Sequence, residues 1–95
     1  MSKAATFAVR VPHDNMEPRH HAGHWVVFET DEEPIVGNDV LVEMHDGGRI
    51  VWRLDAVHDS EIEIAGYNPP VKMRLPLTHV SALYPVLWST EYVDA

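Results

Sequence analysis

DVLVEMHDGGRIVWRLDAV, residues 39–57, is the stretch that decides the fold of this chain. Asp46-Gly47-Gly48 lies between two hydrophobic runs, and an Asp-Gly pair in that setting is the strongest short-range signal of a β-hairpin. The sequence therefore predicts two antiparallel strands, Asp39–Met44 and Arg49–Val57. Even-numbered and odd-numbered side chains of the longer strand face opposite sides, and the register of the hairpin decides which side is buried.

Five more runs on either side of the hairpin have the composition of strands, because they are short, rich in β-branched and aromatic residues, and bounded by turn-forming residues. They are Phe7–Val11, Trp25–Glu29, Glu61–Ala65, Val71–Leu77 and Val80–Trp88. Since no ten-residue window has helical periodicity, we expect an all-β fold, a small, partly open barrel of about seven short, mostly antiparallel strands. One domain is expected over residues 1–95, with its core at about residues 7–88 and a loosely held tail from Glu91.

The pattern within these runs predicts which residues are buried and which are exposed. Phe7, Val9 and Val11 alternate with polar or small residues and are expected to share a buried face. Pro85 predicts an edge, a bulge or a break in the last strand, because proline cannot donate to the hydrogen-bond ladder. The acidic run Asp31–Glu33 is expected to be a solvated loop, with binding of a partner as the alternative.

Fifteen acidic and seven basic side chains give the chain a formal net charge of −8. This charge repels the phosphates of DNA and RNA, so direct nucleic-acid binding is not expected. No apolar run reaches the roughly 20 residues of a membrane helix, and the N-terminus has no hydrophobic segment of signal-peptide length. With no cysteine for a disulfide framework, we expect a cytoplasmic protein that does not contact a membrane.

A turn is predicted where the first strand ends, at Val11-Pro12-His13-Asp14-Asn15-Met16-Glu17-Pro18, because its two prolines fix φ on both sides. Five segments stand in a distinctive order: His13–Pro18 in this turn, then Ala22–Phe28, Gly37–Val42, Ile50–Leu54 and Gly66–Pro70. Over about residues 7–88 they resemble the C-terminal domain shared by LexA, UmuD and the lambda-type phage repressors. These form a serine peptidase family that cleaves itself through a Ser–Lys dyad. The family pattern, in the same order, is G-D-S-M-E-P, D-G-D-W-V-V-V, G-D-I-V-V-V, V-V-K-R-L in a hairpin, and N-P-x-Y.

The resemblance implies a chemical role for two positions, and both carry different residues in this chain. In the family, the serine before Met-Glu-Pro is the nucleophile, and a neutral lysine in the second strand of the hairpin accepts its proton. Asn15 and Trp52 occupy those positions here. An amide has no hydroxyl, an indole N–H cannot accept a proton, and the guanidinium of Arg53 stays protonated. We therefore expect no catalytic residue and no peptidase activity.

The residues around these two positions are expected to form the remnant of the family's peptide groove. They are His13, Asp14, Met16, Glu17 and Arg53. The amide of Asn15 is expected to hydrogen-bond its own turn, with a contact in a surviving groove as the alternative. Trp52 is expected to fill the space of the missing lysine, with an anchor for a partner protein as the alternative. Ala65-Gly66 is interpreted as an ordinary turn.

Histidines gather around the turn and raise the hypothesis of a metal site, since imidazole is a common metal ligand. They are His13, His20, His21 and His24. Their spacing matches no established zinc pattern, and the adjacent His20 and His21 tend to point apart on an extended loop. We therefore expect no metal and no cofactor.

The family domain also associates with itself, and this is the activity that the resemblance leaves to a chain without the dyad. We expect a catalytically inactive LexA-like domain that forms a homodimer or a higher homo-oligomer in a transcriptional regulator of the phage-repressor type. The sequence has no DNA-binding helix-turn-helix, and none of the fourteen residues before Asn15 is the glycine of a family cleavage site. The alternative is a stand-alone acidic protein that binds and modulates or inhibits another protein, such as a regulator or a nuclease.

Overall fold

The computed structural model describes residues 6–91, and the expected tail beyond Glu91 lies outside this range. The described part consists of seven strands and one short 3-10 helix. These are β1 (Thr6–Arg10), β2 (Trp25–Glu29), β3 (Asp39–Met44), β4 (Arg49–Val57), β5 (Glu61–Ala65), β6 (Lys72–Pro76), the 3-10 helix (Leu77–His79) and β7 (Val80–Thr90). Over residues 6–91 there is no helix with the length and apolar character needed to cross a membrane.

The seven strands join one sheet in the order β1-β2-β7-β3-β4-β5-β6, and each strand pairs antiparallel with its neighbours. The predicted all-β fold of about seven short antiparallel strands is confirmed. β3 and β4 form the predicted hairpin, with Val40 opposite Trp52. Gly47 at the tip of this hairpin has a φ of +91°, which glycine adopts without the steric cost of a side chain.

The hairpin β3–β4 is buried on both of its faces, so its register does not select one face over the other. Each face packs into its own apolar cluster. The first cluster is Val11, Met16, Val26, Phe28, Leu41 and Val51. The second cluster is Val40, Val42, Trp52, Leu54, Ile62 and Ile64. Burial on both sides explains why the apolar residues of the hairpin are nearly continuous instead of strictly alternating.

β7 connects the two parts of the sheet, because it pairs with two different strands along its length. Its first part, Val80–Pro85, pairs with β3, and its second part pairs with β2. Pro85 lies at this changeover. A bulge follows at Leu87, between the pairs that Val86 and Trp88 form with β2. Since β7 lies between two strands, the interpretation of Pro85 as an edge is wrong, and that of a break or bulge fits the observed ladder.

β1 differs from the prediction at both of its ends. It ends at Arg10, so Val11 lies in the loop that follows, where it is buried. Phe7 is 52% exposed, although its ring stacks on Phe28 with the ring centres 5.9 Å apart. The buried face predicted for Phe7, Val9 and Val11 is therefore wrong for Phe7, which lies near the start of an edge strand where its face is only partly covered.

β6 is shorter than the predicted run Val71–Leu77. It begins at Lys72 and ends at Pro76, after which Leu77–His79 form a single 3-10 turn. Leu77 N donates to Ser60 O at 2.9 Å, so this turn is fixed to the connection before β5. The 3-10 turn ends the strand earlier than the hydrophobic pattern indicates.

Candidate functional site

The turn after β1 is held by its own backbone and by one apolar anchor. Glu17 N donates to Asp14 O at 3.1 Å, and His20 N donates to Met16 O at 2.9 Å. The side chain of Met16 is fully buried in the first apolar cluster, together with residues of β3 and β4. The turn is therefore fixed against the sheet by packing as well as by hydrogen bonds.

Asn15 connects this turn to two other parts of the chain. Its amide Nδ2 donates to the backbone O of Val51 in β4 at 2.9 Å. Its backbone O accepts two hydrogen bonds, from Tyr67 N at 2.7 Å and from Asn68 N at 2.8 Å. The expected hydrogen bond from the amide to its own turn is therefore wrong, because the amide reaches β4 instead. Local sequence reasoning misses this partner, which lies 36 residues along the chain.

Asn15 and Trp52 meet at Gly66. A Cβ on Gly66 would lie 3.0 Å from the backbone O of Asn15 and 3.0 Å from Cζ3 of Trp52. Trp52 is only 8% exposed and packs in the second apolar cluster. This burial fits the space-filling interpretation of Trp52 and leaves little of its ring for a partner protein. The interpretation of Ala65-Gly66 as an ordinary turn is wrong, because Gly66 is a buried point of close approach.

The chemistry available at these two positions is limited to hydrogen bonding and packing. The amide of Asn15 uses an N–H to hold Val51, and it has no hydroxyl that could attack a carbonyl. The indole of Trp52 has a single N–H donor and no basic nitrogen. Neither side chain can therefore act as the nucleophile or the base of an acyl transfer.

The side chains expected to form a remnant groove lie in different environments. His13 and Asp14 are exposed, whereas Met16 is buried in the core. Glu17 accepts a hydrogen bond from His21 Nδ1 at 2.8 Å. The structure thus separates the solvent-facing side chains of the turn from Met16, and a peptide groove that uses all of them remains a prediction.

Arg53 is held by two neighbours on β4 and in the loop after β5. Its Nε donates to Asp55 Oδ1 at 2.7 Å, and its guanidinium lies 5.2 Å from the ring centre of Tyr67. Hydrogen bonding to Asp55, and then to Tyr67, raises the pKa of the Arg53 guanidinium. Arg53 is therefore a fixed cation beside the turn and cannot serve as a proton acceptor.

Asp39, at the start of β3, is a polar centre that the sequence did not single out. Its buried carboxylate accepts hydrogen bonds from His20 Nε2 at 2.6 Å, Arg19 Nε at 2.5 Å and Tyr67 OH at 3.4 Å. Burial opposes the ionisation of Asp39, but the hydrogen bonds from His20 and Arg19 outweigh it, so the pKa of its carboxyl lies below its usual value. The ionised carboxylate therefore ties the end of the turn to the sheet.

The adjacent His20 and His21 have different carboxylate partners. His20 pairs with Asp39 and His21 pairs with Glu17, while the ring centre of His24 lies 5.1 Å from that of His21. Within residues 6–91, no group of three or more His, Cys, Asp or Glu side chains is placed to hold a metal ion. The position of Asp39 directly before the apolar run Val40–Val42 was the sequence signal that could have identified it, because a charge buried at the start of a core strand needs partners.

A cavity of about 410 Å³ opens beside Asp39. Its lining residues come from the turn, from the start of β3 and from the end of β7. They are Arg19, His20, Asn38, Asp39, Val86, Leu87, Trp88 and Ser89. Asn15 and Trp52 do not line this cavity, so the open space in this region lies along β7 and not at the two positions of the dyad.

Comparison with known families supports the relationship that the motifs indicate. A sequence profile of the family described as Peptidase S24-like matches residues 1–79 of the chain. The matched stretch contains the turn with Asn15, the hairpin with Trp52, and Gly66, which lies against both residues. The comparisons with curated proteins and with solved structures returned no match.

Proposed function

The chain belongs to the Peptidase S24-like family, and from this premise we propose that it is a catalytically inactive member that mediates self-association in a transcriptional regulator of the phage-repressor type. The observation that carries the proposal is the contact at Gly66. By the correspondence of the motifs, Asn15 and Trp52 stand where the family carries its catalytic serine and lysine, and both lie against Gly66. This contact supports the interpretation that the frame of the family's site is retained with side chains that cannot carry out its reaction.

The loss of catalysis is supported by how firmly both side chains are held. Asn15 donates to Val51 in β4, and Trp52 is buried in an apolar cluster. Arg53, the nearest cation in the sequence, stays protonated beside Asp55 and Tyr67. No rotation of these side chains would supply a hydroxyl nucleophile or a neutral amine base.

Self-association is supported by two free edges of the sheet. Within the described residues, β1 and β6 each pair with a single neighbouring strand. Neither strand carries a carboxylate, although the chain has a net charge of −8. A second copy can therefore approach either edge with less repulsion than it meets at the acidic parts of the surface.

β1 is the better edge for pairing with a second copy. β6 ends in Pro76, and proline on an edge strand discourages pairing because it has no N–H. β1 has no proline and exposes half of Phe7. Antiparallel pairing of β1 with β1 of a second copy is isologous, so it closes a dimer instead of extending a filament.

Sedimentation velocity over a range of micromolar concentrations tests this proposal. The wild-type chain is expected to sediment as a dimer. Phe7→Lys removes the exposed ring and adds a cation to the β1 edge of each copy, so this variant is expected to sediment as a monomer. Met73→Lys is the matched control, because Met73 is 43% exposed on the opposite edge strand, and it should leave the dimer intact.

Two results would overturn parts of this proposal separately. A wild-type chain that is monomeric at every concentration rules out self-association. A dimer that is broken by Met73→Lys and not by Phe7→Lys rules out pairing through β1 and assigns the contact to β6.

A further inference from the structure

The cavity beside Asp39 lies next to a second one along β7. The second cavity, of about 340 Å³, lies between β7 and the loop that joins β2 to β3. The two cavities share Asn38, Val86 and Leu87 in their linings. The two cavities are therefore neighbours along residues 85–89, and together we call them the β7 groove.

Several large apolar side chains in and beside the β7 groove are exposed to solvent. Ile35 is 63% exposed and Trp88 is 54% exposed, and Leu87 and the adjacent Val36 are also exposed. Ile35 and Leu87 line one cavity wall, and Trp88 lines the other end of the groove. A contiguous apolar patch on a small protein is typical of an interaction surface, whereas apolar residues scattered singly are not.

Carboxylates line one side of the same groove. Glu29, Glu32 and Glu33 border the cavity next to the loop, and Glu32 and Glu33 are exposed. The prediction that Asp31–Glu33 is a solvated loop is confirmed by this exposure. The ion pairs observed among residues 6–91 involve other carboxylates, so this charge is uncompensated within the described chain.

A second copy has few free cations among its described residues to offer to this charge, because its arginines are already engaged and Lys72 interacts electrostatically with Asp55. Four of the arginines pair with carboxylates, and Arg10 lies over the ring of Trp25. The four pairs are Arg19–Asp39, Arg49–Glu43, Arg53–Asp55 and Arg74–Glu61. Two copies that meet at the β7 groove would bring their uncompensated carboxylates together, which disfavours a homodimer at this surface.

We propose that the β7 groove binds a segment of a different protein that carries lysine or arginine next to apolar side chains. The apolar side chains of that segment would pack against Ile35, Leu87 and Trp88, and its cations would face Glu32 and Glu33. Nucleic acid does not fit the end of the groove that Glu32 and Glu33 border, because its phosphates have the same sign of charge. At the other end, the cation Arg19 is already paired with Asp39. This inference is independent of self-association through β1, because the two surfaces lie on different strands.

Titration with a synthetic peptide of alternating leucine and lysine tests the groove, with fluorescence anisotropy of a labelled peptide as the readout. Glu32→Gln combined with Glu33→Gln is expected to weaken binding by about tenfold or more, which corresponds to roughly 1.4 kcal/mol. Asp46→Asn combined with Asp59→Asn removes the same charge from two other turns, and this control is expected to change the Kd by less than about twofold.

The apolar contribution is tested by a second pair of variants. Ile35→Ser combined with Leu87→Ser is expected to weaken binding of the same peptide by about tenfold. Val71→Ser combined with Met73→Ser, at the β6 edge, should leave the Kd unchanged. A peptide in which serine replaces leucine should bind weakly to the wild-type chain, because it keeps the charge and loses the apolar contact. A peptide with glutamate in place of lysine should not bind.

The inference is overturned if the leucine–lysine peptide does not bind. It is also overturned if the groove variants and their controls reduce the affinity for the peptide equally, because an equal reduction indicates general charge attraction. The same titration on the Phe7→Lys variant separates this result from the proposal about self-association. An unchanged Kd in that variant shows that the groove works in the monomer. If peptide binding disappears together with the dimer in this variant, the two surfaces are not independent.

Discussion

The turn with Asn15 and the β7 groove lie near one another and differ in how their side chains are used. At the turn, Asn15 and Trp52 are engaged by other parts of the chain, through a hydrogen bond to β4 and through burial. In the groove, large apolar side chains and carboxylates remain exposed to solvent. The difference is consistent with our proposal that Asn15 and Trp52 serve stability, while the surface available for binding lies elsewhere.

The largest expected difference in stability is between substitutions of two tryptophans, one in each of these regions. Trp52→Ala removes a buried ring from the second apolar cluster and is expected to lower the free energy of unfolding by about 3–5 kcal/mol. Trp88→Ala, the matched change in the groove, should cost less than about 1 kcal/mol, because the Trp88 ring is half exposed. Urea denaturation of both variants gives the comparison, and equal losses would contradict it.

A substitution of Asp39 tests the polar contacts that fix the turn with Asn15 to the sheet. Asp39→Asn keeps the shape of the side chain but removes the charge that His20 and Arg19 bond, so it is expected to cost about 2–3 kcal/mol at neutral pH. The pKa of Asp39 is lower in the folded state than its unfolded value of about 4. Its contribution is therefore fully present above that unfolded value and is lost as pH falls through the folded pKa.

The difference in stability between the wild-type chain and Asp39→Asn should consequently shrink below about pH 4. Denaturant titrations at a series of acidic pH values measure it directly. A difference that stays constant from neutral pH into this acidic range would contradict a contribution from the ionised form of the carboxylate.

The substitution Gly66→Ala tests the contact of Gly66 with Asn15 and Trp52, and we expect a smaller loss of stability than for Trp52→Ala. Gly66→Ala places a Cβ 3.0 Å from the backbone O of Asn15 and from the ring of Trp52, and such overpacking is expected to cost about 1–3 kcal/mol. In the control Gly48→Ala, the Cβ lies 3.0 Å from Asp46 Oδ1. That carboxylate is in an exposed turn and can rotate away, so the control should be milder. Thermal denaturation of both variants distinguishes the two cases.

The smallest expected effect lies in the groove. Ile35→Ser changes a side chain in an exposed loop and should alter the free energy of unfolding by less than about 0.5 kcal/mol, as at most surface positions. If this variant unfolds as readily as Trp52→Ala, then Ile35 belongs to the core and the groove is not an available binding surface.

The parts of the fold that sequence alone predicted are those with strong local signals. The Asp46-Gly47-Gly48 turn and its flanking runs predicted the hairpin, and the spacing of the motifs predicted the family. Phe7 was predicted to be buried because alternation indicates which residues share a face, and it does not indicate whether a neighbouring element covers that face. The changeover of β7 at Pro85 depends on which strands it meets, and no local pattern carries that information.

The site was predictable in its residue types and not in its contacts. Asn15 and Trp52 were identified by their place in the motifs, yet the partner of the Asn15 amide and the role of Gly66 depend on pairs of residues distant in sequence. Asp39 was missed because an acidic residue next to a turn is ordinarily exposed. Its burial follows from its position opposite Arg53 at the start of a strand that is covered on both faces.

The loss of peptidase chemistry at Asn15 and Trp52 is tested most directly by incubating the purified chain at alkaline pH with a peptide that contains an Ala-Gly bond. Mass spectrometry then follows both molecules. We predict that the chain and the peptide remain intact, because neither position supplies a nucleophile or a base. Specific cleavage of either molecule that disappears in the Asn15→Ala variant would contradict this account.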